Sequence, residues 1–184
     1  AAALEAGLTT LGWDNKTVFA TDHPVDPVKG SGSQSNSFNL GLTGDNLLQL
    51  IANFPKLQAE NKDPVFAGQE LDFSLIVPAA LQVDGEKIVD RTYVTDAVGT
   101  VTNTAYKRAK LLVLPQLTDT GRWYVGINNL ARKPLLKVVF KAMRQIRLGP
   151  ESDMWKKQQI MKVFHYEKSQ YRLPDWRLLA TSKA

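Results

Sequence analysis

Leucines recur at helical spacing at the start of the chain. Leu4, Leu8 and Leu11 lie in an alanine-rich run, and spacings of four and three residues place them on one face of a helix. The pattern predicts a helix over residues 1–11. After a turn, residues 17–20 are expected to form a short strand.

A second helix is predicted where apolar residues again follow a helical period. Leu47 and Leu50 belong to this pattern, and Thr43 precedes it as a residue whose side-chain oxygen can cap the first turn. Pro55 lacks an amide hydrogen and clashes with the preceding turn, so it must kink the helix or start another. The helix is expected to continue over residues 56–61.

Strict alternation marks a strand in the middle of the chain. Leu71, Phe73, Leu75 and Val77 alternate with more polar positions, which is typical of a strand with one buried face. Further apolar runs, separated by turn residues, predict strands over residues 111–114, 123–127, 135–140, 142–148, 159–166 and 169–173.

The segment after Pro78 has two interpretations. A proline followed by two alanines and a leucine favours the first turn of a helix. Asp84 and Gly85 instead favour a hairpin turn between two short strands. Helices and strands therefore mix without a regular β-α-β rhythm, which predicts the α+β class.

Composition removes several kinds of chemistry. The chain of 184 residues has no cysteine and two histidines, so disulfides, thiolate nucleophiles and zinc ribbons are excluded. No run approaches the roughly 20 apolar residues that a membrane span needs, and no secretion signal is recognisable. No cofactor or metal site is expected.

The net charge of +5 divides unevenly along the chain. Residues 1–121 contain 9 Lys and Arg against 14 Asp and Glu, whereas residues 122–184 contain 14 against 4. Solvated surface charge explains any single residue. A swing of this size favours an acidic surface that meets the basic surface of an identical neighbour, or a basic face near nucleic acid.

Candidate catalytic groups are few. Asp22 and His23 could be combined with a serine from the loop Ser31–Ser37. Adjacent residues in an extended turn point their side chains apart, and a triad needs the histidine between nucleophile and acid. His165 has no partner residues for a metal site. We therefore expect no enclosed site with convergent ionisable groups.

The C-terminal third interleaves aromatic and basic residues, the raw material of a single-strand nucleic-acid platform. Strand alternation, with aromatic residues facing a core, accounts for most of the pattern and is favoured. The candidate basic interface or DNA-facing residues are Lys156, Lys157, Lys162, Lys168, Arg172 and Arg177, and the aromatic residues are Trp155, Phe164, Tyr166, Tyr171 and Trp176.

A series of short motifs, taken in order and spacing, resembles one known family. From about residue 12 to the end, the chain resembles the major head (capsid) subunit of Mu-like tailed phages and prophages. The positions that carry the resemblance are Thr21, Asp22, His23 and Pro24, then Ser35 and Asn36, the proline after each of two strands (Pro78 and Pro115), and Trp123 and Trp176.

The resemblance implies the tailed-phage major capsid fold of the Hong Kong phage type. It further implies that the chain is the C-terminal portion of a subunit whose arm and extended loop come earlier. Residues 1–38 would be the end of the spine helix and a connecting loop of the peripheral domain, residues 39–147 the axial domain, and residues 148–184 the return to the peripheral domain. Since the family has a helix after the proline corresponding to Pro78, the resemblance favours the helix there.

The function implied is structural and not enzymatic. Subunits would assemble through heterologous ring contacts into pentamers and hexamers of an icosahedral head that encloses double-stranded DNA. Packaged DNA would be bound non-specifically, and scaffold and portal proteins are further expected partners. The protein would be assembled in the bacterial cytoplasm, reside in the virion and have no membrane partner. The alternatives are an encapsulin-like compartment of the same fold and a basic nucleic-acid-binding module.

Overall fold

The computed structural model describes residues 1–96, 99–131, 133–147 and 163–183. These residues contain both helices and strands, which confirms the predicted mixed class. The α-helices are α1 (Ala2–Ala6), α2 (Gly44–Asn53) and α3 (Gln82–Val89). The strands are β1 (Ser37–Phe38), β2 (Phe73–Val77), β3 (Tyr93–Asp96), β4 (Gly99–Thr102), β5 (Ala109–Val113), β6 (Arg122–Ile127), β7 (Leu136–Arg147), β8 (Val163–Arg172) and β9 (Leu179–Lys183).

A five-stranded sheet in the order β1-β9-β6-β2-β5 organises the larger of two compact units, Ala1–Pro134 with Leu173–Ala184. Strand β2 runs parallel to β5 and antiparallel to β6, so that Leu75 stands between Leu111 and Val125. Strand β9, from the end of the chain, pairs with both β1 and β6. Strand β9 therefore lies between a strand at residues 37–38 and the middle of the sheet.

Both faces of the sheet are covered. On one face, Leu47 and Leu50 of α2 and residues of α3 belong to the same buried cluster as Trp123 and Val125. On the other, Tyr124 packs with Leu4 of α1 and with residues of the loops. Residues 123–127 of strand β6 are buried on both faces, which explains why they carry no charged side chain.

Helix α2 begins as predicted and ends earlier than expected. The Thr43 side chain accepts a hydrogen bond from the Asn46 amide at 3.2 Å, and Pro55 starts a single turn of 3₁₀ helix, Phe54–Lys56. The prediction of helix over residues 56–61 is wrong. Leu57 has an extended backbone and its side chain is buried in the core. The chain therefore turns back after Leu57, and the following residue forms a β-bridge to Pro64.

The segment after Pro78 is helical, so the hairpin alternative is wrong. A turn of 3₁₀ helix, Ala79–Leu81, leads into α3. Gly85 is buried, and a Cβ atom there would lie 2.8 Å from Leu111 Cδ1. Glycine at this position allows the helix to approach β5 closely and does not mark a turn.

The structure corrects two predictions near the start of the chain. Helix α1 ends at Ala6 and not at residue 11, with Gly7 pressed between Phe19 and Leu173. Residues 17–20 do not form a strand, because the pairing there is a single bridge between Leu11 and Thr17. The β3–β4 hairpin and strand β9 were not predicted.

The second compact unit, Leu135–Arg172, contains the long antiparallel pair β7–β8. The strands predicted over residues 135–140 and 142–148 are one strand, with register shifts between Val139 and Arg144. Such shifts insert unpaired residues and interrupt the alternation that sequence patterns rely on. The predicted break between residues 166 and 169 is likewise inside one strand, β8. Residues 153–157, whose sequence indicates a short helical turn or a loop, lie outside the described residues.

Among the helices that the structure describes, none has the length and apolar character needed to cross a membrane.

Candidate functional site

Residues of two family motifs meet in the interior, beside the loop that separates them in sequence. His23 and Gln34 exchange two backbone hydrogen bonds of 2.8 Å, and the bridge between Asp26 and Ser31 closes the loop beyond them. This pairing brings the side chains of His23 and Asn36 within 3.1 Å of each other. Both are fully buried.

His23 is enclosed on its edges and on one ring face. Its Nδ1 lies 2.6 Å from Asp14 Oδ2, and its Nε2 lies 3.1 Å from Asn36 Oδ1. The imidazole stacks on the indole of Trp176, with centroids 3.8 Å apart and an interplanar angle of 4°. Asp14 has no exposed side-chain surface. We call these four residues, Asp14, His23, Asn36 and Trp176, the polar centre.

Asn36 connects the most segments within the polar centre. Its Nδ2 donates to the carbonyl oxygens of Val18 at 2.8 Å, Trp176 at 3.0 Å and Leu179 at 3.1 Å. Its Oδ1 accepts from the Ala20 amide at 3.0 Å. Three carbonyls around the nitrogen fix the orientation of the amide, so Oδ1 must face His23.

This arrangement determines the hydrogen-bonding role of each histidine nitrogen. Since Asn36 Oδ1 can only accept, His23 Nε2 carries a hydrogen, and a single proton joins Nδ1 to the Asp14 carboxyl group. Neither nitrogen has a free lone pair for a substrate, and the ring has no exposed surface. A general base needs hydrogen-bond reach to its substrate, which this geometry does not offer.

The expectation of no convergent ionisable groups is therefore wrong for the Asp14–His23 pair. The acidic partner of His23 is Asp14 and not the neighbouring Asp22. Asp22 points outward, where the ammonium group of Lys16 holds the pKa of its carboxyl group below the ordinary value. The available sequence signal is Asp14 itself, which lies with Asn15 in the turn before residues 17–20.

The remaining motif residues of this region support the loop. Thr21 is exposed and Pro24 is half-buried. Ser35 Oγ donates to the Ser37 carbonyl at 2.8 Å, and the Ser35 carbonyl accepts from Asn53 Nδ2 at 2.9 Å. Ser35 thus ties the loop to the end of α2.

Three other motif residues lie away from the polar centre. Pro78 is buried at the end of β2, and Pro115 is exposed after β5. Trp123 is fully buried in β6 and donates from Nε1 to the Leu40 carbonyl at 3.1 Å. These residues stabilise strand ends and the core.

The structure describes three of the six candidate basic residues, Arg177, Arg172 and Lys168. Arg177 forms two 3.0 Å hydrogen bonds to Asp175 and lies 5.2 Å from the centroid of the Trp13 ring, so it is held against the protein. Arg172 is exposed at the end of β8. Lys168 is placed in β8 by the backbone alone. Lys156, Lys157 and Lys162 lie outside the described residues.

The described aromatic residues of the same segment differ in burial. Trp176 is buried in the core, as predicted, whereas Tyr171 is exposed. Trp155 and the side chains of Phe164 and Tyr166 lie outside what the structure describes.

One open cavity of the larger unit lies beside the sheet. It encloses about 800 Å³ beside the start of β5, and Asp72, Asp90, Lys107 and Arg108 are among its lining residues. Within the described part of the chain, no group of three or more acidic, histidine or cysteine side chains could hold a metal ion.

No protein-family model and no curated protein matches the chain. The virus-like particle from Pyrococcus furiosus is similar over 80% of this chain and 56% of that chain, at 15% identity and a TM-score of 0.42. The structure titled Mycobacterium phage Patience is similar over 82% and 48%, at 12% identity and a TM-score of 0.42. The satellite phage P4 procapsid including size determination (Sid) protein is similar over 83% and 42%, at 12% identity and a TM-score of 0.40.

The chain spans about half the length of these solved structures. At TM-scores of 0.40 to 0.42, this likeness carries no argument about function.

Proposed function

We propose that the chain is a structural subunit of a phage or prophage capsid of the Mu-like type. One observation carries the proposal: the motif residues His23, Asn36 and Trp176, which define the resemblance, meet in a buried centre with no free catalytic group. Residues kept together for catalysis would need access to a substrate. These residues instead fix the path of the chain, as a shell-building protein requires.

The proposed architecture is the tailed-phage capsid fold of the Hong Kong phage type. Residues 39–147 would form the axial domain near the centre of each capsomer. Residues 1–38 and 148–184 would belong to the peripheral domain. The five-stranded sheet supports a stable body for such a subunit, because it pairs strands that are far apart in sequence, from β1 at residues 37–38 to β9 at residues 179–183.

The proposed partners follow from this role. Identical subunits would form heterologous ring contacts in pentamers and hexamers of an icosahedral head, since such contacts close into rings. Packaged double-stranded DNA would meet basic residues non-specifically, and scaffold and portal proteins would act during assembly in the bacterial cytoplasm. The subunit would reside in the virion, need no cofactor and catalyse no reaction. An encapsulin-like compartment remains the alternative within the same fold.

Sedimentation velocity and negative-stain electron microscopy at low and high salt test the proposal. We expect weak, salt-sensitive association into assemblies with rotational symmetry, because complementary exposed charges are screened by salt. A tight dimer with two-fold symmetry that resists high salt would contradict it, since an isologous contact closes on itself.

A further inference from the structure

The β7–β8 ribbon, Leu136–Arg147 with Val163–Arg172, exposes apolar side chains on both of its faces. Leu136, Val138, Val139 and Tyr171 are between 39% and 53% exposed. Val138 and Val139 are consecutive, so they lie on opposite faces of the strand. An isolated two-stranded ribbon is marginally stable in water, and the exposed apolar side chains of this one favour a partner that covers them.

The ribbon is also strongly basic. In the register of the two strands, Lys141 stands directly opposite Lys168. A segment of this composition attracts an anionic partner. The described residues of the ribbon include one acidic residue, Glu167, and six basic residues: Lys137, Lys141, Arg144, Arg147, Lys168 and Arg172.

The exposed aliphatic residues favour a protein partner over nucleic acid. Contacts to the phosphate backbone use cationic and polar groups, and they leave side chains such as Leu136 and Val139 uncovered. A protein interface has an apolar core with a polar rim. The ribbon has cationic residues around aliphatic ones, which matches the composition of a protein interface.

A complementary acidic surface lies in the larger unit of the same sequence. We call residues 57–72 the acidic loop. Its four acidic residues are exposed, and among the described residues no ion pair neutralises them. Lys62 is an exposed lysine within the loop, and Lys107, Arg108 and Lys110 line the same cavity as Glu70 and Asp72, so the acidic character is strongest at Glu60 and Asp63. The acidic residues are Glu60, Asp63, Glu70 and Asp72.

The acidic loop is held in a defined shape. Leu57 and Phe66 are buried in the main core. The Asp72 amide donates to Asn129 Oδ1 at 3.0 Å, and Asn129 Nδ2 donates to the Glu70 carbonyl. A preformed surface loses little conformational entropy when it binds a partner.

We propose that the β7–β8 ribbon of one copy docks on the acidic loop of a second copy of this chain. The contact is heterologous, because the ribbon and the acidic loop are different surfaces. This inference rests on the proposed assembly of identical subunits, and it names the two surfaces that meet.

Charge-reversal variants test the contact. The ribbon variant Lys168→Glu/Arg172→Glu and the loop variant Glu60→Lys/Glu70→Lys each place like charges together, so each alone is expected to associate about tenfold more weakly than the wild type. An equimolar mixture restores association, since the reversed ribbon meets the reversed loop. Sedimentation velocity measures the association, with Lys29→Glu and Glu86→Lys as control reversals at exposed positions outside both surfaces; both should leave it unchanged.

The outcomes separate this inference from the proposed function. Rings or shells that form equally in every variant would overturn the inference and leave the proposed function standing. Charge-dependent pairing that never closes into symmetric assemblies would support the inference and contradict the proposed function. A wild-type protein that stays monomeric at all concentrations and salts would overturn both. Loss of duplex DNA binding in the ribbon variant, with self-association unchanged, would assign the ribbon to DNA and overturn the inference.

Discussion

The imidazole of His23 lies flat on the indole of Trp176, with the ring centroids 3.8 Å apart. The two residues come from opposite ends of the chain, and the pair is sealed by Asp14 and Asn36. A buried polar group that makes no hydrogen bond costs stability, and the side chains of Asp14, His23 and Asn36 make theirs. The polar centre therefore allows one arrangement of its segments and gives the sheet a fixed connection to the loop around residue 23.

Replacing Asn36 with alanine is expected to lower the free energy of unfolding by about 3 kcal/mol, because buried donors and acceptors lose their partners. The carbonyls of Val18, Trp176 and Leu179 and the Ala20 amide would be left unsatisfied. Urea denaturation measures the loss. Asn61→Ala, at an exposed asparagine, serves as the matched control and should change stability by less than about 0.5 kcal/mol.

Replacing His23 with phenylalanine tests the buried pair with Asp14. Phenylalanine keeps a ring against Trp176 and leaves the Asp14 carboxyl group without its partner, which for a buried charge costs about 3–5 kcal/mol. Adding Asp14→Asn to this variant removes the charge and should recover part of the loss. Urea denaturation of the wild type, both single variants and the double variant gives the coupling. Strictly additive losses would show that the two side chains do not interact.

The polar centre also shows where sequence reasoning succeeds and fails. The spacing of Leu47 and Leu50 predicts α2 because a helical period is a local property. The pairing of Asp14 with His23 depends on a loop that folds back, and no local pattern encodes it. Strand β9 was not predicted because two of its buried residues, Thr181 and Ser182, are polar. Their hydroxyls donate to the Trp123 and Leu40 carbonyls, respectively.

Substitutions at Gly85 test the close approach of α3 to β5. Alanine gains about 1 kcal/mol of helix propensity over glycine, and its Cβ would lie 2.8 Å from Leu111 Cδ1, the end of a flexible side chain. The two effects are expected to offset, so Gly85→Ala should be within about 1 kcal/mol of the wild type.

A larger side chain at the same position cannot be accommodated by Leu111 alone. Gly85→Val should destabilise by about 1–3 kcal/mol, the usual cost of overpacking. Thermal unfolding of both variants, with and without Leu111→Ala, checks the contact. If Leu111→Ala does not relieve the Gly85→Val loss, the steric explanation is wrong.

Alkaline pH should destabilise the fold through Tyr124. Burial raises the pKa of its phenol to about 12, whereas the pKa of a tyrosine in an unfolded chain is about 10. Below pH 10 both states are protonated and the stabilisation is fully present. Between pH 10 and 12 the unfolded chain loses its proton first, so stability falls by about 1.4 kcal/mol for each pH unit.

Tyr124→Phe should remove this part of the alkaline destabilisation. Among the described residues the Tyr124 hydroxyl has no hydrogen-bond partner, so the substitution should also raise stability at pH 7 by about 1 kcal/mol. Urea denaturation from pH 7 to 11 compares it with Tyr93→Phe, since Tyr93 is an exposed tyrosine. The Tyr93 variant should follow the wild-type curve. An equal alkaline loss in the Tyr124 variant would mean that other groups cause it, because phenylalanine has no proton to release.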